Sequence, residues 1–171
     1  CYLMIEGNAE SVAITRHYPG VGSDLLLRFN PRTLAYNKSD EIIAGGKIRL
    51  HKIGETATFH DPCQIVRRGG LEAAARRVLA ALGFELIELK DHGIAGYCCG
   101  GGGGVVSNQR AAPLRHKVFE IKKNQVEATG AKRFVTSCGQ CRITLEMGAK
   151  HAHWGKLTES LLELVADNLA D

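Results

Sequence analysis

The placement of the cysteines constrains this chain more than any other feature. Five of the six lie in three groups: Cys63, the adjacent pair Cys98 and Cys99, and the pair Cys138 and Cys141, which are separated by two residues. Adjacent cysteines cannot bridge each other without severe backbone strain, so a disulfide framework fits this pattern poorly. Several soft thiolates together are typical of an iron–sulfur cluster. Zinc is the alternative, although zinc takes four ligands and five cysteines are present.

Composition and the N-terminus argue against several other classes of function. The net charge is +4, but the basic residues are spread along the chain and aromatic residues make up only 6%, so we expect no nucleic-acid interface. No apolar run approaches the roughly 18 to 20 residues of a membrane-spanning helix. Residues 1–6 do not resemble a signal peptide, and we therefore expect a cytoplasmic location.

Hydrophobic patterning predicts an α/β fold. Short strands are predicted at 55–59, 84–89 and 133–137, and helices at 71–82, 113–128, from the Cys138–Cys141 segment to about 149, and 157–169. This alternation is typical of a small parallel sheet flanked by helices, whose functional groups collect beyond the carboxyl ends of the strands. Each of the three cysteine groups follows one of these strands, so we expect all five cysteines at that edge of the sheet.

A run of five glycines, Gly100 to Gly104, directly follows the adjacent cysteines. Because glycine lets the backbone approach closely, Gly100 and Gly101 are predicted to aim N–H groups at the sulfurs. The run is not a Walker loop, since no Gly-Lys-Ser/Thr follows, and it lacks the usual context of a dinucleotide-binding fingerprint.

The sequence gives structural predictions for three histidines, His60, His151 and His153. His60 lies three residues before Cys63, where it either supports the ligands as a hydrogen-bond or proton donor or caps a turn with Asp61. His151 and His153 alternate beside a tryptophan, which predicts that both project from one face of a strand.

Three segments together resemble the cysteine-rich CCG domain. They are His60-Asp-Pro-Cys63, Gly96-Tyr-Cys-Cys-Gly-Gly-Gly-Gly-Gly104 and Ser137-Cys-Gly-Gln-Cys141. That family includes catalytic subunits of heterodisulfide reductase and iron–sulfur subunits of glycolate oxidases. The resemblance implies an oxidoreductase subunit that holds a non-cubane [4Fe-4S] cluster with five thiolates, here Cys63, Cys98, Cys99, Cys138 and Cys141.

The same resemblance implies a setting for the chain. Family members either reduce a disulfide substrate or relay electrons, and their expected partners are a flavoprotein or a membrane quinone module, which would bring this chain to a membrane through partner subunits. The sequence carries no flavin or nicotinamide motif of its own. The competing class is a zinc-stabilised interaction module within a larger redox complex.

Residues 1–54 and 55–171 are predicted to be separate units. The segment Cys1 to Glu10 resembles Cys141 to Lys150, with Cys, Glu and Ala at equal offsets. This echo predicts that residues 1–54 hold the tail of an upstream copy of the unit plus a connection, and that Cys1 is a remnant ligand of a site missing from this chain. The chain also begins without Met, so we expect further sequence upstream.

Overall fold

A computed structural model describes residues 2–7, 12–18, 22–29 and 48–170. The predicted remnant ligand Cys1 lies outside these described residues. Among the described residues, no helix is both long and apolar enough to cross a membrane.

The N-terminal part forms an antiparallel sheet that the sequence patterning does not predict. Its strands are β1 (Tyr2–Gly7), β2 (Val12–Tyr18) and β3 (Gly22–Phe29), in that order, with an irregularity in the β2–β3 register. Strand β1 covers most of the segment that echoes 141–150 in sequence, yet 142–147 is helical. The two segments therefore differ in secondary structure, and an upstream copy of the unit stays a prediction.

The second sheet has four strands, all parallel, in the order β5-β4-β6-β7. These are β4 (Thr56–His60), β5 (Glu85–Leu86), β6 (Arg133–Thr136) and β7 (Thr158–Ser160). The predicted α/β class is thus confirmed. The helix predicted from residue 157 is wrong in its first residues, because 158–160 form β7. The helix begins only after Ser160, whose side chain accepts a 3.4 Å hydrogen bond from the Glu163 N–H.

Four α-helices of the described part of the chain flank this sheet. They are α1 (Glu72–Ala81), α2 (Ala112–Thr129), α3 (Gly139–His151) and α4 (Leu161–Asp167), and a π-helical turn (Gln64–Arg68) lies between β4 and α1. Helix α2 carries a proline in its first turn and ends at Gly130, whose φ of 64° suits glycine.

Alternating strand residues direct the core to both faces of the sheet. Val135 packs with α1 and α4, in a cluster that also holds Phe59, Leu79 and Leu161. Its neighbour Phe134 points to the opposite face and packs with α2 and α3, in a cluster with Phe119, Val126, Leu145 and Trp154. Helices therefore cover both faces of the sheet. The loops that follow the strands lie at its carboxyl edge.

The strand predicted at His151 and His153 is wrong. His151 is the last residue of α3, and its ring stacks on that of His116 with centroids 3.5 Å apart. His153 follows in a turn with a φ of 50°. Helix α3 runs on to His151 because Leu145 and Ala149 continue its apolar face into the core.

Candidate metal centre

Two adjacent strands and one loop bring cysteines to the carboxyl edge of the parallel sheet. Strand β4 ends at His60, and Cys63 follows at the start of the π-helical turn. Strand β6 ends at Thr136, after which Cys138 is the N-cap residue of α3 and Cys141 lies in its first turn. Cys99 lies on the long loop that follows β5. Because β5, β4 and β6 are neighbours, these segments meet at one edge.

Three thiols converge around Cys141. Its thiol is within hydrogen-bonding reach of both Cys138 and Cys99, and these contacts raise the pKa of Cys141. In return the hydrogen bond from Cys141 lowers the pKa of Cys99 to about 4 and that of Cys138 to about 6. The lowered pKa values favour the thiolate forms of Cys99 and Cys138, and the thiolate is the form that binds metals.

The imidazole of His60 completes this group. The ring is buried, and one of its nitrogens lies with the Cys99 and Cys141 sulfurs in a set of atoms that are all within 4.8 Å of one another. Neither ring nitrogen has a well-aligned hydrogen-bond partner among the described residues. Burial lowers the pKa of His60 and so favours the neutral ring. His60 thus faces the thiols, and it does not cap a turn with Asp61.

Backbone N–H groups point at the sulfurs. Gly100 donates to Cys98 Sγ at 3.3 Å, and Cys141 donates to Cys138 Sγ at 3.5 Å. A backbone hydrogen bond from Gly101 also helps to lower the pKa of the Cys99 thiol. Such donors stabilise thiolate charge, which is the role that the sequence predicts for Gly100 and Gly101.

Both glycines are required by the local geometry. Gly100 has a φ of 85°, in the left-handed region. Gly101 packs so closely on α3 that a Cβ atom there would lie 3.0 Å from Thr144 Cβ. The close approach lets the loop carry Cys99 onto the first turn of α3.

Cys63, Cys98 and Cys138 lie outside the set of ligand atoms within 4.8 Å of one another, although Cys138 is within hydrogen-bonding reach of Cys141. Cys63 is half-buried and Cys98 is exposed. The structure thus brings Cys99, Cys138 and Cys141 together with His60, and we call these four residues the thiol site. The full five-cysteine ligand set stays a prediction.

An ion-pair network that the sequence patterning does not predict anchors the loops of the thiol site. The carboxylate of Asp61 accepts two hydrogen bonds of 2.9 Å from Arg76 and one of 2.7 Å from the Gly93 N–H. Arg67 donates to the carbonyls of Ile94 and Gly96. The segment before Cys63 and the loop before Cys98 are therefore tied together. The sequence offers one indication of this network: Asp61 is an acidic residue directly after the buried strand β4, at the edge where functional groups collect.

Family comparison agrees with this arrangement. The sequence model of the cysteine-rich CCG domain matches residues 57–146, which is more than half of the chain. The chain belongs to the CCG cysteine-rich domain family. The matched segment starts in β4 and ends in α3, so it contains the whole thiol site.

Relatives of this CCG domain include several redox proteins. The chain is 35% identical over 108 residues to a probable membrane-anchored ferredoxin of Chromohalobacter salexigens, over 63% of this chain and 16% of the relative. It is 30% identical over 156 residues to the probable iron-sulfur-binding oxidoreductase FadF of Bacillus subtilis, over 89% of this chain and 21% of the relative. It is 32% identical over 131 residues to one polypeptide of the dihydromethanophenazine:CoB–CoM heterodisulfide reductase of Methanosarcina mazei, over 75% of this chain and 32% of the relative.

The chain therefore spans between about a sixth and a third of the length of these relatives. No solved structure matches it significantly. The predicted CCG resemblance is confirmed, and with it a place among relatives named as iron–sulfur and oxidoreductase proteins.

The residues of this CCG domain fit an iron–sulfur group. Convergent thiols, two of them with lowered pKa values, and N–H groups directed at sulfur are features that suit such a group. The buried His60 nitrogens, which lack an aligned partner among the described residues, are free to face it. Cys99, Cys138 and Cys141 converge at this edge, and Cys63 and Cys98 lie on the adjoining segments.

Proposed function

We propose that this CCG domain is an iron–sulfur unit of a heterodisulfide-reductase-like oxidoreductase. It binds a [4Fe-4S] cluster, of the non-cubane type, through Cys63, Cys98, Cys99, Cys138 and Cys141. The observation that supports this most directly is the convergence of Cys99, Cys138 and Cys141 at one sheet edge, with lowered pKa values at two of them. Thiolates in a buried setting are the ligands that iron–sulfur clusters prefer.

The protein's own residues prepare the site for electron transfer. A bound cluster would supply one-electron chemistry. The thiolates would hold it, the N–H groups of Gly100 and Gly101 offset negative charge on sulfur, and the neutral ring of buried His60 orients a sulfur ligand. Reduction of a disulfide to two thiols takes up two electrons and two protons, so a partner redox protein must supply the electrons. Electron relay without a disulfide substrate uses the same site.

Partner subunits follow from the same proposal. A flavoprotein or a membrane quinone module is the expected electron partner, and contact with such a module would bring the chain to a membrane. We propose residues 55–171 as the complete iron–sulfur domain, with residues 1–54 as the tail of an upstream unit and a connection. The upstream unit is supported by the sequence echo alone, since β1 is a strand and 142–147 is helical.

A second candidate function is a zinc-stabilised structural module. It is favoured by one observation: His60, Cys99 and Cys141 offer ligand atoms within 4.8 Å of one another, and Cys138 is within hydrogen-bonding reach of Cys141. One histidine and three cysteines make a common zinc site. In that case the chain would hold its partners together without carrying electrons.

Metal analysis of cysteine variants separates the two candidates. We would purify the wild type and single Cys→Ser variants without oxygen and measure iron, acid-labile sulfide and zinc. Cys63→Ser and Cys98→Ser are decisive, because only the five-cysteine proposal requires these residues. Loss of iron in both supports it, and zinc retained at wild-type levels in both supports the zinc module. Cys1→Ser is the control, and circular dichroism verifies that each variant is folded.

A further inference from the structure

A lysine is buried beside the thiol site. Lys122 lies midway along α2, where the buried residues are Phe119, Lys122 and Val126. Its side chain is only 1% exposed, so the ammonium group does not reach solvent along the helix surface. A charged residue in this position costs free energy unless nearby groups compensate it. Its spacing of three and four residues from these apolar neighbours is the only local signal of this burial in the sequence.

Within the described ranges, few polar atoms contact this ammonium group. Its Nζ atom donates to Gln125 Oε1 at 3.3 Å, a long hydrogen bond, and Gln125 in turn donates to Asp91 Oδ2 at 2.5 Å. The Nζ atom also lies 5.9 Å from the centroid of the Tyr97 ring, next to Cys98 in sequence. An ammonium group has three N–H donors. One long hydrogen bond to a neutral amide and one aromatic face compensate it incompletely.

The charges that favour the ammonium form point towards the thiol site. Burial lowers the pKa of Lys122 to about 8, and the opposing contributions come from Asp91, Asp61, Cys99 and Cys98. Asp61 is already paired with Arg76. Phe119 and Val126, the buried neighbours of Lys122 on α2, pack in the cluster that contains Cys99 and Cys141, so this face of the helix lies against the thiol site. After burial, the charge of Lys122 is among the causes that lower the pKa of His60.

We propose that Lys122 is the charge-compensating residue of this metal centre. Its ammonium group stabilises the more negative, reduced state of the bound cluster and thereby raises the reduction potential. This inference rests on the proposed function, since zinc has no reduction step. Two unit charges in a poorly solvated interior interact far more strongly than two at the surface, so one buried lysine outweighs several exposed ones.

A matched pair of variants tests the proposal. Lys122→Met removes the charge and keeps an unbranched side chain, whereas Lys117→Met removes the same charge from the same helix at a side chain that is 78% exposed. Iron content and the midpoint potential, from an EPR-monitored redox titration, are measured in wild type and both variants. We expect a more negative potential in Lys122→Met and an unchanged potential in Lys117→Met. Equal potentials in all three, at equal iron content, would overturn the proposal.

Further readouts decide the remaining outcomes. If Lys122→Met is folded but holds no iron, Lys122→Arg is tested next. Retention of iron by the arginine variant supports charge compensation. Loss of iron from the arginine variant as well overturns the proposal. A metal-free Lys122→Met protein that is unfolded also overturns the proposal, because Lys122 would then have a structural role. Wild-type protein without iron is a different result, since it contradicts the proposed function itself.

Discussion

Arg76 binds Asp61 through two parallel hydrogen bonds of 2.9 Å, across 15 residues of sequence. The Asp61 carboxylate is 1% exposed and also accepts the Gly93 N–H. The pair thus joins α1 to the loop after β4 and to the loop that leads to the adjacent cysteines. The hydrogen bonds to Asp61 and Glu88 raise the pKa of Arg76 against the effect of burial, so the guanidinium stays charged.

We expect Arg76→Met to destabilise the protein strongly. The substitution leaves a buried carboxylate without its cation, and breaking such a pair costs about 3 kcal/mol or more. The measurement is the free energy of unfolding of the metal-free protein in urea.

Arg142→Met is the matched control. Arg142 pairs with Glu146 at 2.9 Å and with Glu163 at 2.6 Å, but on the solvated surface of α3. Exposed pairs contribute about 1 kcal/mol or less. Equal losses in Arg76→Met and Arg142→Met would contradict the anchoring role of the buried pair.

The second prediction concerns the glycine loop. In Gly101→Ala the new methyl group would lie 3.0 Å from Thr144 Cβ and 3.1 Å from Thr144 Cγ2, which is too close without a shift of the loop. We expect a loss of about 2 kcal/mol in unfolding free energy, within the range for overpacking, and a lower metal content because Cys99 moves with the loop.

Gly102→Ala provides the comparison one residue later. A Cβ atom at Gly102 meets nothing within 4 Å, and its φ is not in the left-handed region. The unfolding free energy of Gly102→Ala should match that of the wild type to within about 0.5 kcal/mol. Its metal content should equal that of the wild type within experimental error. If both alanine variants behave alike, close packing of the loop on α3 is not what places Cys99.

The third prediction is a pH dependence of stability. Burial lowers the pKa of Lys122 from 10.5 to about 8 in the folded, metal-free protein. Between these pH values the unfolded chain binds more protons than the folded chain, so the free energy of unfolding rises with pH. One pKa unit corresponds to ~1.36 kcal/mol, so the charged lysine lowers the free energy of unfolding by about 3 kcal/mol below pH 8. This loss disappears as the pH rises to 10.5.

Comparison with Lys122→Met isolates this effect from other titrations. Metal-free Lys122→Met should be more stable than the wild type at pH 7, and the gap should narrow as the pH rises from about 8 to 10.5. Urea unfolding at several pH values, with thiols kept reduced, measures the gap. Lys117→Met should follow the wild type. A gap that stays constant with pH would show that Lys122 is not a buried cation.

Much of the parallel sheet could be predicted because its signals are local. Strands β4 and β6 are short apolar runs that end at the His-Asp-Pro and Ser-Cys segments, and the apolar faces of α1 and α2 follow helical spacing. Strand β7 could not be separated from α4, since three residues, Thr158 to Ser160, carry too little periodicity. Pairing with β6 establishes it as a strand.

The sequence predicts that the cysteine groups lie at the carboxyl edge of the sheet, but it does not predict which thiols are in contact. Which thiols meet depends on strand order, which places β4 between β5 and β6. The burial of His60, the Arg76–Asp61 pair and the position of Lys122 all depend on contacts between distant segments. Local patterning carries no direct information about such contacts.

Whether this CCG domain holds an iron–sulfur cluster is decided by the composition of the purified wild-type protein. We would purify the full chain without oxygen and measure its visible absorption, iron, acid-labile sulfide and zinc. We expect brown protein with about four iron atoms and about four sulfides per chain, as a [4Fe-4S] cluster requires. Colourless protein with about one zinc atom and no iron would contradict the proposed cluster.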